Sequence, residues 1–426
     1  MQPEEVLELD DIKLGDRTFW GRPLSEREGA FAVLRRERPM SFHTEPDVPG
    51  LPPGAGFWAV TKMADILEAS RTPEIFCSGS GVTIIDIPVE FGEFFGSMIA
   101  MDDPRHARLR RIVSRGFTPG RLRKLEDDVE RATASVIDAV IDRGSCDFVS
   151  DIAAALPLKI ICDMMGIPQS QYEFVFDRTN IILGAGDPEY VGDPTEAVMA
   201  VYGAGQELSE LMQELGRERA KNPTDDLTSV MMNAELDGEK LTDQELGSFF
   251  VLLVAAGNET TRNAISHGMK ALSDHPAERA RWQANFEELA PTAVEEIVRW
   301  ATPVINFRRT ATRDTQLGGQ AIAEGEKIVL WYNSANRDED VFVDPHRFDV
   351  GRTPNEHVGF GGPGPHFCLG AHLAKREITV MFRQLFQRIP DLEITGPPDR
   401  LLSFFINGLK HMPCEFTPGG AGSGAP

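Results

Sequence analysis

The chain has 426 residues, 41% hydrophobic and 26% charged, which is ample for a large buried core and too apolar for disorder. Its net charge of −23 argues against nucleic acid or an anionic membrane as the main partner. The five cysteines are scattered and odd in number, with no CxxC pair, so neither a disulfide framework nor a zinc module is expected.

The acidic amino terminus, MQPEEVLELDD, has no apolar core and does not read as a signal peptide. The longest apolar run, Phe249 to Ala256, is too short to span a bilayer. A soluble, cytoplasmic protein without an integral membrane segment is therefore expected. Before about residue 60, many Pro and Gly and short apolar runs such as Gly56-Phe-Trp-Ala-Val60 predict short strands and irregular structure. From Pro104 to Arg299 the pattern is helical. The segment Arg105 to Lys124 carries eight Lys/Arg and no acid. It reads either as a solvated helix face or, in so acidic a chain, as a docking patch or a clamp for anionic cofactor groups.

Thr242-Asp-Gln-Glu245 forms a capping box, and nothing stops the helix it opens until His275-Pro276, about 32 residues or roughly 48 Å. Its centre reads Ala255-Ala-Gly-Asn-Glu-Thr-Thr261. Phe249, Leu253, Ala256 and Thr260 share one stripe. The Thr260 hydroxyl can bond back to the carbonyl of residue 256. Yet Ala256 and Gly257 remove bulk one turn earlier, and Glu259 places a carboxyl beside it. Something flat could lie there, with a route for protons.

Glu296 and Arg299 stand three apart on the next clear helix. The local wheel turns the pair away from the apolar face of Ala293, Val294, Ile297, Val298 and Ala301, as in an ordinary surface pair. Residues 310–332 alternate between glycine turns and read as hairpins. Phe360-Gly-Gly-Pro-Gly-Pro-His-Phe-Cys368-Leu-Gly370 is a Gly/Pro loop running into a helical pattern, Leu373, Ile378, Met381, Phe382 and Leu385. Cys368 is thereby set at a helix start, where a thiolate is favoured as metal ligand or nucleophile. His106 and Arg110 share a face, and with Arg309 and His366 they could surround an anionic cofactor. No domain boundary interrupts residues 1–417, and residues 418–426 read as a flexible tail.

In order and spacing, Ala256-Gly-Asn-Glu-Thr-Thr261, Glu296-x-x-Arg299, Phe342-x-Asp-Pro-x-x-Phe348 and the loop ending at Cys368 resemble a cytochrome P-450 over roughly residues 15 to 415. Phe95-Gly-Ser-Met-Ile-Ala-Met-Asp-Asp103 and Val254 to Asn263 are similar to the mycobacterial branch that hydroxylates methyl-branched lipids and cholesterol-derived side chains. The resemblance implies a single-domain, mainly α fold with a small β part and a buried haem b (iron protoporphyrin IX), with dioxygen as co-substrate. Cys368 would be the axial ligand of the iron. Gly364 and Gly370 would shield its sulfur, and Ala256 and Gly257 would lie against the haem. Thr260 would hold dioxygen, with Glu259 passing protons toward it. His106, Arg110, Arg309 and His366 would pair with the haem propionates. Glu296 and Arg299 would be buried after all, joined by Arg352 rather than Arg347. An acidic ferredoxin, served by an NAD(P)H-dependent reductase, would dock on a face formed by the basic run and Lys375-Arg376.

The implied reaction is hydroxylation of a lipophilic substrate, the terminal carbon of a methyl-branched lipid first. A sterol side chain or a terpenoid is the alternative, and a non-catalytic haem sensor or lipid-binding protein is the reading from another class. Val82, Ile84, Ile85, Phe94 and Met98 are candidates to line the substrate pocket from the loop before the basic segment. Phe249, Leu253 and Val254 would join from the long helix, and Val304, Phe307, Phe405 and Ile406 would close it. One departure from the family loop stands out. Phe360 lies eight residues before Cys368 rather than seven, which puts the packing of Phe360 in question.

Overall fold

The computed structural model describes residues 7–114, 119–233 and 240–419. Twelve helices of eight or more residues lie among them. The first six are α1 (Leu24–Glu37), α2 (Met63–Arg71), α3 (Val89–Gly96), α4 (Arg105–Ser114), α5 (Pro119–Asp138) and α6 (Ala155–Met165). Then come α7 (Tyr172–Gly184), α8 (Ala197–Lys221), α9 (Asp243–Asp274), α10 (Pro276–Ala284), α11 (Phe286–Ala301) and α12 (Ala371–Arg388). The fold is mainly helical with a small β part, as expected.

The axis of the molecule is α9. Its first turn is fixed by a reciprocal cap: the Glu245 N–H donates to Thr242 Oγ1 at 3.1 Å, and the Thr242 N–H to Glu245 Oε2 at 2.9 Å. It ends at His275 because Pro276 opens α10 and cannot continue the ladder. Across its 32 residues α9 packs against α3, α6, α7, α8, α11 and α12. Gly268 makes the approach to α11 and α12 possible, since a Cβ there would stand 3.0 Å from both Ile297 and Phe382.

Five strands form the larger sheet: β1 (Met40–His43), β2 (Phe57–Val60), β3 (Phe76–Cys77), β4 (Asn306–Ala311) and β5 (Lys327–Trp331). They lie in the order β1-β2-β5-β4-β3, antiparallel except for the β2–β5 pair. All five residues of β5 are buried, and after Lys327, which pairs with Glu45 and Asp86, the strand reads as one apolar run rather than alternating. The short strands Ser145–Asp147, Pro413–Glu415 and Glu393–Ile394 tie the carboxy terminus to the chain after α5.

The segment before residue 60 differs from expectation, since α1 takes 14 residues of it. Its inward face carries Arg27 and Arg35, both buried, and these charges break the apolar stripe that would have revealed the helix. Arg35 is satisfied only through the fold, by Glu339 at 2.7 Å and Ser334 Oγ at 3.1 Å. Residues 420–426 of the expected tail and the side chains of residues 115–124 in the basic run lie outside what is described. Among the described residues, no helix is long and apolar enough to cross a membrane.

Candidate active site

A cavity of about 240 Å³ opens between the middle of α9 and the loop that precedes α12. Ala256, Gly257 and Thr260 border it on the α9 side, and Gly364, His366, Cys368 and Gly370 on the loop side. Thr260 Oγ1 donates to the Ala256 carbonyl at 2.5 Å, so the back-bonded rotamer and the cavity position hold together. Gly257 also has a packing role, because a Cβ there would stand 2.1 Å from Ile161 Cδ1 on α6. Glu259 is turned away from the cavity and is buried. It pairs with Arg262 and accepts from Asn263 Nδ2 at 2.9 Å, while its Oε2 has no partner.

The cysteine loop is set by two close approaches to α2. A Cβ on Gly364 would meet the Ser70 carbonyl at 2.3 Å, and one on Gly362 the Ser70 Oγ at 2.4 Å. Gly364 also has φ +150°, which side chains rarely adopt. The additional residue after Phe360 is thus absorbed in glycines pressed on the end of α2. The Phe360 carbonyl accepts the Cys368 N–H at 3.0 Å. Its ring packs on the core beneath Lys375, whose Nζ lies 5.1 Å from the ring centre. Burial raises the Cys368 thiol above its ordinary value, opposed by the N–H groups of Gly370 and Ala371 and by Arg110.

At one end of the cavity stand Arg110, Arg309 and His366, with the ring of His106 packed 4.4 Å from that of His366. Arg110 donates to the Phe367 carbonyl and Arg309 to the Arg308 carbonyl, each at 2.7 Å, and neither meets a carboxylate among the described residues. His106 Nε2 and His366 Nδ1 are buried without partners. Burial, then Arg309, His106 and Arg110, push His366 down to about 3. Two arginines without a carboxylate partner and two imidazoles, each with one orphaned ring nitrogen, form a receptor for anionic groups, His106 being held from behind by Asp103 at 3.4 Å.

A Mycobacterium tuberculosis (strain ATCC 25618 / H37Rv) protein named methyl-branched lipid omega-hydroxylase is 51% identical over 419 residues, covering 97% of each chain. The chain belongs to the cytochrome P-450 family. The family profile, described as cytochrome P-450, matches residues 193–390. The steroid C26-monooxygenase of Mycolicibacterium smegmatis is 41% identical over 405 residues, covering 93% of this chain and 92% of its own. Among solved structures, a Mycobacterium marinum cytochrome P-450 in complex with pseudoionone superposes with a TM-score of 0.92 at 44% identity, covering 97% of this chain and 100% of that one. As a cytochrome P-450 the chain is a monooxygenase that uses haem and dioxygen, takes lipophilic substrates and draws electrons from redox partners.

The residues present fit a haem. A thiol stands in the floor of the cavity, a small-residue helix face forms its roof, and the anion receptor matches a pair of propionates. Beyond them, Val82, Met98, Phe249, Leu253, Val304 and Phe307 line the cavity as expected. The other pocket candidates do not border this cavity. Ile84 is packed in the cluster around Trp331, because Val82 is pinned to β4 by its carbonyl (2.9 Å from Arg308 N) and the loop then turns inward. Ile85 does not border the cavity either, and its carbonyl accepts from Thr83 Oγ1 at 3.2 Å. Phe94 meets Phe95 edge-on at 5.0 Å and leans on α8, and Val254 is wholly buried with the same cluster. Phe405 stands behind Phe307 at 5.5 Å, and Ile406 is bridged to Val304 on the far side of the wall.

Ile99, Ile161, Met164 and Glu377 also border the cavity and were not anticipated. The first three depend on which helices approach α9. Glu377 had a visible signal, since it interrupts the apolar stripe of α12 between Leu373 and Ile378. Burial alone pushes its carboxyl up to about 8.

Glu296 and Arg299 are fully buried, against the local wheel. The stretch 336–355 lies over them and supplies the missing partners. Arg299 donates to Glu296 at 2.7 and 2.8 Å and to the carbonyls of Asn336 and Pro345. Arg352 Nε reaches both Glu296 oxygens at 3.2 and 3.1 Å, whereas Arg347 contributes only its carbonyl. The basic run does not form one uniform patch over its described part. Arg105 pairs with Glu93 and Arg108 with Glu245, Arg110 faces the cavity, and Arg111 is exposed. Lys375 and Arg376 are taken up by Glu295 and Glu130.

Proposed function

We propose that this cytochrome P-450 hydroxylates the terminal carbon of a methyl-branched lipid at a haem b held by Cys368. The observation that carries the reading is a largely apolar cavity bordered by Cys368 on the loop side and Thr260 on α9, in a chain half identical to a methyl-branched lipid omega-hydroxylase. Bound there, haem supplies an iron at which dioxygen is activated, so that substrate C–H, O₂, two electrons and two protons give C–OH and water.

The chain's own side chains divide the remaining work. Cys368 would ligate the iron as the thiolate, with the N–H groups of Gly370 and Ala371 directed at its sulfur. Arg110, Arg309, His106 and His366 would hold the propionates, and Ala256 and Gly257 leave space against α9. Thr260 Oγ1, once released from the Ala256 carbonyl, would be free to donate a hydrogen bond into the cavity and position proton donors there. Glu259 swings from Arg262 to carry protons toward it, starting from the unpartnered Oε2. Met98, Phe249, Leu253 and Phe307 exclude water and hold the chain end-on, so that a terminal methyl is presented. Among the described residues, Met98, Phe249, Leu253 and Phe307 bring no charge that could hold a carboxylate, which leaves the lipid's polar head at the mouth.

Electrons would come from a cytoplasmic ferredoxin and its NAD(P)H-dependent reductase, with the exposed Phe367 and Arg111 as candidate docking residues. Residues 1–417 act as one catalytic domain, with 418–426 as a tail. A branched sterol side chain is the second reading, supported by the 41% identical steroid C26-monooxygenase. Product analysis with a branched and a straight fatty chain of equal length tests the first. Faster turnover of the branched chain, with oxygen on its terminal carbon, is expected. Equal turnover of both chains refutes the preference.

A further inference from the structure

We propose that a second cavity, away from the haem pocket and walled by α1, Ile305, Arg337 and Asn407, is a binding site for a small inorganic anion such as chloride. It has a volume of about 30 Å³, room for one monatomic ion or about two waters.

The argument starts from Arg27. It is only 7% exposed, yet its guanidinium makes no hydrogen bond or ion pair with any described residue, and its Nε is orphaned. Its one neighbour of note is the Trp20 ring, 5.8 Å from Cζ. Arg337 borders the same space. It spends Nη2 on Glu28 at 2.8 Å and on the Trp300 carbonyl at 3.2 Å, and its Nε also has no partner. Arg400 acts on both Arg27 and His267, and among the described residues its guanidinium hydrogen-bonds only Asn407 Oδ1, at 3.4 Å.

Charges of the facing groups do not balance. Arg35 is cancelled by Glu339. His267 is neutral, pushed down to about 3 by burial and by Arg400, and its ring bonds the Asn407 carbonyl at 2.8 Å. His346 stands on the far side of Glu28 at 3.7 Å and is half exposed. Among the described residues Glu28 alone is left to face Arg27, Arg337 and Arg400, so two positive charges are uncompensated. Arg27 stays cationic at neutral pH even though burial pulls it down to about 10. Water in the cavity would satisfy the orphaned N–H groups but leave both charges, whereas a single anion satisfies those groups and halves the excess charge. Asn333 borders the cavity with an unpartnered Oδ1, and a half-turn of its amide presents the NH₂ group to the ion.

The position gives the ion a structural consequence. Ile305 lies in the cavity wall, one residue after Val304, which lines the haem cavity. An anion here would join α1 to the segment that closes the substrate pocket.

Two experiments on the holoenzyme decide the matter. Thermal unfolding in sodium chloride should show a saturable rise in midpoint over sodium gluconate at equal ionic strength, and Arg27→Met should abolish the difference. Crystals of the unmodified protein soaked in bromide should give an anomalous peak between Arg27 and Arg337. Equal midpoints in the two salts, or a bromide-free cavity containing only water, would overturn the proposal. The bromide result stands by itself should the variant fail to fold.

Discussion

Thr260 and Glu377 carry the sharpest residue-level consequences. Thr260→Ala removes a hydroxyl that borders the cavity without creating a steric demand. Substrate affinity should be kept, while coupled product falls severalfold and peroxide rises. A variant with unchanged coupling, measured as product formed per NAD(P)H consumed, would return Thr260 to a purely helical role. The Glu377 carboxyl keeps its proton in the folded protein to about pH 8, against an ordinary value of 4.5. Between these values the unfolded chain releases the proton that the folded chain retains, so stability falls as pH rises through this window and levels off above it. Glu377→Gln should flatten that slope in denaturant midpoints taken from pH 5 to 8. Glu259 rests apart from the cavity and would reach it only by leaving Arg262. Next to Thr260 on the helix, it is turned about 100° around the axis, and this brings it to Arg262 and Asn263 rather than to the cavity.

At the scale of elements, the loop before α12 and the pair on α11 are tested by contrasting substitutions. Gly364→Ala drives a Cβ to 2.3 Å from the Ser70 carbonyl and should lower both haem content and melting temperature. Gly370→Ala meets nothing within 4 Å and should leave haem content near that of the unmodified protein, as read from Soret absorbance per protein. Glu296→Gln leaves Arg299 and Arg352 buried around a neutral amide and should cost about 3–5 kcal/mol in urea unfolding. The capping box, the span of α9 and the start of α12 were legible because each is written in local signals. Burial of Glu296 and Arg299 was not, since the wheel of α11 knows nothing of the chain that covers it 40 residues later. The helix α1 was hidden for a related reason. Its buried arginines break the apolar period, and what satisfies Arg35 is more than 300 residues away.

For the whole molecule, the order of four motifs was enough to anticipate a mainly α haem protein, and the relatives bear this out. The pocket was legible only in part. Val82, Met98, Phe249, Leu253, Val304 and Phe307 were reached by asking which apolar residues adjoin the motifs, but the same question also returned Ile84, Val254 and Ile406, which serve the core. Apolar character does not separate cavity wall from core. The path of the loop after Val82 and the turn of α9 do, and these are tertiary facts. The central claim is that Cys368 holds the haem iron through sulfur. It is tested most directly by the absorption spectrum of the reduced protein under carbon monoxide. The account predicts the strongly red-shifted Soret band of a thiolate-ligated haem, lost in Cys368→Ser. A Soret band at the position of a histidine-ligated haem, or a red-shifted band that survives in Cys368→Ser, would contradict it.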